Sequence, residues 1–224
     1  MGKDKKQVKS QVLNNGNLKD NGYNREIDLE NQLDDFFSKF GVENLYGKLS
    51  GNDFINLKQM LSCVNNIITL KATQKFVDIL YKDKIILRPD LEKILEKILG
   101  QHANTNGYDV QYDGGPKIIA EVKCNIPVNG DSFGASQKKG INKDIKNLFE
   151  GKIKANLPYP TKEYIKFLVI LECENAKVCM DKIIDPINKN RQDGQVLYYD
   201  TIHDKNNLPS GNVYVVFVTI DNDK

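Results

Sequence analysis

The sequence contains few of the residues that mark common hydrolase and redox sites. Its 224 residues include two histidines, four cysteines and three arginines. His102 and His203 are isolated, and no serine has a histidine nearby, so a histidine-based hydrolase is disfavoured. The cysteines show neither a CxxC pair nor a disulfide-like spacing, which predicts reduced, mostly buried thiols rather than a zinc site.

Long apolar runs and glycine-rich phosphate loops are also missing. No run of about 18 apolar residues occurs, so we expect no membrane span. No GxxxxGK pattern occurs, so we expect no nucleotide cofactor. The segment 1–21 is rich in lysine and asparagine and has no apolar centre, unlike a secretory signal. The prediction is therefore a cytoplasmic protein.

The composition is typical of a globular protein, with 40% apolar and 28% charged residues. Residues 1–24 are predicted to form a mobile basic arm, which either wraps DNA or is a solvated tail. Residues 25–224 are predicted to form a single domain, with a helical part over 25–100 and a sheet core over 101–224. Apolar spacing and stop signals predict four helices before residue 101: one over 27–40, one that starts after 51–53 and reaches about 67, one over 73–81 and one over 88–99.

The second half of the chain predicts strands alternating with helices. Two alternating runs, Tyr108–Tyr112 and Lys117–Cys124, flank Asp-Gly-Gly-Pro and predict a β-hairpin. The elements predicted after the hairpin are a helix over Ser136–Glu150, a buried strand over Tyr164–Cys173, a helix over Val178–Ile187 ending near Pro186, and strands over Val196–Asp200 and Asn212–Ile220. The expected fold is α/β, a mixed central sheet of about five strands flanked by helices, with a helical N-terminal region.

Three charged residues in the hairpin are unexpected for a buried strand pair. Asp109 is predicted to lie in the first strand, and Glu121 and Lys123 in the second, on the face opposite Val122. Burying them is costly unless they bind something. If Asp109 lies opposite Glu121, Asp113 pairs with Lys117, and a slip of one residue turns Asp109 to the wrong face.

An aspartate on one strand followed by Glu-x-Lys on the next resembles the active-site motif of the PD-(D/E)XK nuclease superfamily, and above all its type II restriction endonucleases. The likeness covers residues 108–150 most strongly. Tyr108 occupies the position at which the family has a proline. The resemblance implies a restriction endonuclease-like core with a helix packed on the sheet after the Glu-x-Lys strand.

The resemblance also implies roles for these residues. Asp109, Glu121 and the backbone carbonyl of Val122 would bind one or two Mg²⁺ ions, and Lys123 would lie beside the attacking water. Glu96, on the helix before the hairpin, is a candidate for an additional metal ligand. The alternative is that Glu92 and Glu96 form a solvated face paired with neighbouring lysines.

Contacts with DNA are expected from the segments that follow the hairpin. Gln137, Lys138 and Lys139 lie at the start of the predicted helix, where phosphate contact is favourable. Asn125 and Arg191 lie in polar segments that could address base edges. The alternative for the helix is an ordinary amphipathic element with a lysine-rich surface.

The sequence thus predicts a Mg²⁺-dependent, sequence-specific double-stranded DNA endonuclease of the type II restriction kind, working as a homodimer on a palindromic target. A structure-selective repair or recombination nuclease, such as a junction resolvase, is one alternative. A non-catalytic DNA-binding protein with the same fold is another. A surface hairpin with a chance Glu–Lys pair is the purely structural interpretation.

Overall fold

The computed structural model describes residues 25–100, 107–128 and 130–220, with side chains from residue 27 onwards. The chain divides into two compact units, Met1–Leu61 and Ser62–Lys224. The helices that follow Leu61 belong to the same unit as the sheet. The predicted basic arm over 1–24 lies outside the described residues, and the predicted single domain over 25–224 stays a prediction.

The first unit is helical in its described part. Helix α1 spans Arg25–Ser38 and is followed by a 3₁₀ turn, Tyr46–Lys48, and by the start of helix α2, Gly51–Lys82. Ser50 and Asp53 cap α2, because the Ser50 amide donates to Asp53 Oδ2 (2.8 Å) and the Asp53 amide donates to Ser50 Oγ (3.3 Å). The helix begins at Gly51, three residues earlier than the start that the sequence predicted after residues 51–53.

One continuous helix replaces the two that the sequence predicted over 51–81. Helix α2 runs for 32 residues from Gly51 to Lys82. Its sequence contains no proline and no glycine after Gly51, so nothing interrupts the backbone hydrogen bonds. The apparent break reflected only a change in the burial pattern, since the buried residues of α2 are all in its last third, Ala72, Thr73, Phe76, Val77 and Leu80.

A five-stranded mixed sheet lies in the second unit, as the sequence predicted. Its strands are β1 Val110–Tyr112, β2 Ile118–Lys123, β3 Ile165–Leu171, β4 Val196–Tyr198 and β5 Val213–Val218. Their order is β1-β2-β3-β5-β4, with β1 antiparallel to β2 and the remaining neighbours parallel. Strand β4 is shorter than predicted, because Tyr199–Thr201 form a 3₁₀ turn.

Helices cover both faces of this sheet. Helix α3, Arg88–Gly100, and the end of α2 pack on one face, where Phe76 and Ile94 meet Ala120 and Phe167 in one core. Helices α4, Ala135–Glu150, and α5, Ala176–Asn190, pack on the other face in a second core. Parallel neighbours such as β2 and β3 require a crossover connection, and α4 supplies it.

Two smaller predictions are wrong. Pro186 lies inside α5 instead of ending it, and the helix continues for one more turn to Asn190. The four thiols are free, but only Cys179 is buried, whereas Cys63 is exposed and Cys124 and Cys173 are half-buried. Among the described residues, no helix is both long and apolar enough to cross a membrane.

Candidate active site

The register of the hairpin places Asp109 opposite Glu121. Strand β1 pairs with β2 through Val110↔Ala120, Gln111↔Ile119 and Tyr112↔Ile118. Continued by one residue, this pairing puts Asp109 across from Glu121, the register that a shared metal site requires. Asp109 itself lies one residue before β1 rather than within it, which corrects the prediction. Its Oδ2 accepts a hydrogen bond from the Val122 amide at 2.7 Å, so the side chain continues the pairing.

Glu121 is a buried acid with only 3% of its surface exposed. It projects towards the α4 face of the sheet, as Lys123 does, while Ala120 and Val122 belong to the core on the other face. Lys152 Nζ lies 2.5 Å from its Oε1. Burial raises the pKa of Glu121 to about 7, and the charges of Asp109 and Asp144 act in the same direction while Lys152 opposes them.

Lys123 forms an ion pair with an acid from helix α4. Its Nζ lies 2.6 Å from Oδ2 of Asp144, which is itself only 7% exposed. Burial acts to lower the pKa of Lys123, but the hydrogen bond and charge of Asp144, with smaller contributions from Asp109 and Glu121, outweigh it and raise the pKa. Lys123 is therefore a protonated ammonium group at neutral pH.

Lys152 is held in place by the turn that ends α4. Gly151 adopts φ 95°, a conformation that glycine tolerates, and the chain turns there towards the sheet. The Lys152 ammonium donates to the Gly107 carbonyl, and it lies 5.2 Å from the centre of the Tyr108 ring. Tyr108 Oη accepts a hydrogen bond from the Lys152 amide (3.1 Å) and donates to the Asn147 carbonyl (2.9 Å).

Asp109, Glu121, Lys123, Asp144 and Lys152 together form what we call the acid–lysine cluster. The sequence analysis missed its last two members. A signal for Asp144 was present, because it follows Ile141 by three residues and precedes Leu148 by four, on the apolar stripe of α4. Lys152 carried no comparable signal, since its position depends on the turn at Gly151.

The structure does not bring Glu96 to this cluster. Glu96 is exposed on α3, and α3 packs against the face of the sheet opposite to the one that carries Glu121 and Lys123. Glu92 forms an exposed ion pair with Arg88 at 3.1 Å, whereas the alternative interpretation had expected Lys93 or Lys97. A solvated outer face of α3 is the better description of both acids.

The structure does not bring the predicted DNA contacts together in one place. Gln137 holds the start of α4, because its Oε1 accepts from the Gly134 amide (2.8 Å) and its Nε2 donates to the Ile126 carbonyl (3.2 Å). Lys138 and Arg191 line one groove between α4 and α5. Lys139 is exposed on α4, and Asn125 is half-buried two residues after β2.

A magnesium ion suits two of the acids. Among the described residues, no group of three or more His, Cys, Asp or Glu side chains is arranged as a metal site. Magnesium, however, is often held by one or two carboxylates with water completing its coordination, which Asp109 and Glu121 can supply. Glu121 Oε1 and Asp144 Oδ2 are buried and lie 2.5 Å and 2.6 Å from lysine ammonium groups, so an ion at Glu121 would share this acid with Lys152 or displace that lysine.

No family model, no curated protein and no solved structure matches this chain. The geometry of the acid–lysine cluster and the motif that it contains are therefore the observations from which a function can be inferred.

Proposed function

We propose that the protein is a magnesium-dependent DNA endonuclease that hydrolyses phosphodiester bonds, and in particular a site-specific enzyme of the type II restriction kind. The observation that supports this best is the hairpin register, which sets Asp109 opposite the buried Glu121 and leaves Lys123 on the same face of β2. These are the positions that the Asp and Glu-x-Lys motif requires.

In this proposal, Asp109, Glu121 and the carbonyl of Val122 hold the ion. Bound there, Mg²⁺ would neutralise a phosphate oxygen and lower the pKa of a coordinated water. Glu121 must be ionised to bind the ion, so its raised pKa makes metal binding compete with a proton.

Lys123 acts as a cation in this proposal rather than as a general base. Its ion pair with Asp144 keeps it protonated, so it has no free lone pair to accept a proton from water. A protonated lysine can offset the charge of the phosphate and orient the attacking water. Asp144 would then fix the position of the ammonium group without touching the substrate.

The acid–lysine cluster contains one carboxylate more than its ion pairs use. The buried acids Glu121 and Asp144 are each paired with one lysine, and Asp109 is an additional, exposed carboxylate. When Glu121 is ionised, a cation bound by Asp109 and Glu121 would therefore be electrostatically favourable.

The proposed substrate is double-stranded DNA, cut by a homodimer with one active site for each strand. The test is incubation of the purified protein with unmethylated phage DNA and Mg²⁺, beside an EDTA control and the variants Asp109→Ala and Lys123→Ala. We expect discrete fragments from the wild type and a loss of at least about 100-fold in rate in both variants.

Other outcomes of this experiment separate the alternatives. Cutting of branched DNA without cutting of linear duplex would favour a structure-selective enzyme such as a junction resolvase. Binding of DNA without any cutting would favour a non-catalytic DNA-binding protein. Variants that cut as fast as the wild type would refute the assignment of the acid–lysine cluster.

A further inference from the structure

A groove of about 480 Å³ lies between helices α4 and α5. This α4–α5 groove is separate from the acid–lysine cluster. Asn142 and Lys146 line it from α4, and each is two residues from Asp144, which therefore projects from roughly the opposite side of the helix. The volume falls in the range of ligand-binding pockets, about 300–1,000 Å³.

The charged side chains that line the α4–α5 groove are mostly basic. Four cationic side chains line it, Lys138, Lys146, Lys182 and Arg191, against the single acid Glu150. Lys182 lies 2.6 Å from Asp131, and Lys146 lies 3.7 Å from Glu150, with all four side chains at least 45% exposed. Exposed ion pairs of this kind contribute roughly 0–1 kcal/mol, so an anionic ligand can compete for both lysines.

Arg191 is a half-buried cation that lines the groove. Its guanidinium lies over the Phe149 ring, 3.7 Å from the ring centre. Its Nε is buried, so a ligand in the groove can reach only the other N–H groups of the guanidinium. Planar guanidinium groups suit phosphate oxygens, and stacking on an aromatic ring fixes the plane of this one. The arrangement favours a phosphate as a ligand of Arg191.

The floor of the groove is apolar, and it indicates which groups a ligand would carry besides phosphate. Ile145, Ile183, Pro186 and Ile187 lie between the cations, and they offer a surface on which a flat ring can pack. Lys138, Asn142, Lys146 and Glu150 recur every four residues along α4, over a length of about 18 Å. A ligand with several phosphates and exposed flat rings at regular spacing fits such a groove.

We propose that the α4–α5 groove binds an unpaired nucleic-acid strand, with phosphates on Arg191 and the lysines and bases on the apolar floor. Only an unpaired strand combines a charged backbone with accessible base faces, since a duplex keeps its bases stacked inside. The choice of nucleic acid as the ligand rests on the proposed function, whereas the groove and its half-buried arginine do not. The same surface would hold a displaced or flanking strand away from the cleavage centre.

The test measures binding of a short labelled oligothymidylate by fluorescence anisotropy, with EDTA present so that cleavage cannot occur. Arg191→Met should weaken binding about tenfold, the loss of one hydrogen bond to a charged group. Lys138→Met should weaken it less, and affinity should fall with rising salt. Arg88→Met is the matched control, because Arg88 is an exposed arginine on α3, and it should bind as the wild type does.

Equal affinity of Arg191→Met and wild type would overturn the proposal, as would an equal loss in Arg88→Met. A loss of blunt-duplex affinity in Arg191→Met as large as the loss of single-strand affinity would also overturn it. Thermal melting shows whether Arg191→Met is folded. If it is not, binding at wild-type affinity by both Lys138→Met and Lys182→Met would overturn the proposal. Because no cleavage is measured, failure here is distinguishable from failure of the proposed endonuclease, which only the cutting assay reveals.

Discussion

Two neighbouring strands of the sheet each bury a charged side chain, and they stabilise it in different ways. Glu121 in β2 is 3% exposed and Lys166 in β3 is 2% exposed. Glu121 has Lys152 at 2.5 Å and further charged groups around it. Among the described residues, the Lys166 ammonium donates only to backbone carbonyls, those of Tyr164 (3.3 Å) and Ser210. Burial lowers the pKa of Lys166 to about 8.

The comparison teaches that a buried charge is not by itself the sign of a functional site. Two backbone carbonyls accept hydrogen bonds from the Lys166 ammonium, and no acid in the described part of the chain forms an ion pair with it. Glu121 lies among four other charged side chains, and the exposed carboxylate of Asp109 lies across from it in the strand register. That second carboxylate, rather than burial alone, distinguishes the candidate site from a structural lysine.

Of the changes that test this comparison, the largest effect is expected from replacing Asp144, the acid that forms an ion pair with Lys123. Asp144→Asn should lower the cleavage rate about 10–100-fold, the usual range for a group that orients a residue beside a metal. Asp144→Glu should recover part of the loss, because it keeps the charge. Single-turnover rates on a mapped substrate test this. A rate unchanged in Asp144→Asn would show that Lys123 needs no partner.

Replacing Lys166 should instead change the free energy of unfolding and leave the cleavage rate unaltered. Its folded pKa of about 8 is below the ordinary value of 10.5, so the unfolded chain binds more protons between these pH values. The free energy of unfolding should therefore rise with pH from about 8 to 10.5. Lys166→Met should remove this slope and stabilise the protein at pH 7 by roughly 1–3 kcal/mol. Urea unfolding at a series of pH values is the measurement, and a wild-type slope retained in Lys166→Met would contradict it.

Glu121 should produce a pH dependence of the opposite sign. Its folded pKa of about 7 exceeds the ordinary value of 4.5, so the folded chain binds more protons in this window and stability falls as the pH rises through it. Mg²⁺ should raise the melting temperature more at pH 8 than at pH 6, because the ion competes with the proton. Glu121→Gln should lose both effects. An equal Mg²⁺ shift in that variant would place the ion elsewhere.

The smallest effect is expected at Glu96. Glu96→Gln should leave cleavage unchanged and alter the free energy of unfolding by less than about 0.5 kcal/mol, as for other exposed positions. Glu92→Gln serves as its control, since it removes an exposed pair with Arg88. A marked loss of cleavage in Glu96→Gln, but not in Glu92→Gln, would show that Glu96 belongs to the active site.

The fold was predictable because local patterns carry it. Alternation around Asp-Gly-Gly-Pro gave the hairpin, and the apolar run ending in β3 gave the central strand. The continuous α2 was missed, because a change in burial resembles a break when only periodicity is read. The Glu–Lys pair of β2 was visible in the sequence, whereas the contact of Lys152 with Glu121 joins residues 31 positions apart, which local periodicity does not reveal.

The most direct test measures plasmid cleavage after replacement of Lys123, in the acid–lysine cluster, and of Lys166, the buried lysine of β3. Supercoiled plasmid is incubated with Mg²⁺ and wild-type protein, Lys123→Met or Lys166→Met, each verified as folded by thermal melting. We expect the wild type and Lys166→Met to cut the plasmid and Lys123→Met to leave it intact, with EDTA abolishing all cutting. Cutting by Lys123→Met at the wild-type rate would show that the acid–lysine cluster is not the site of cleavage.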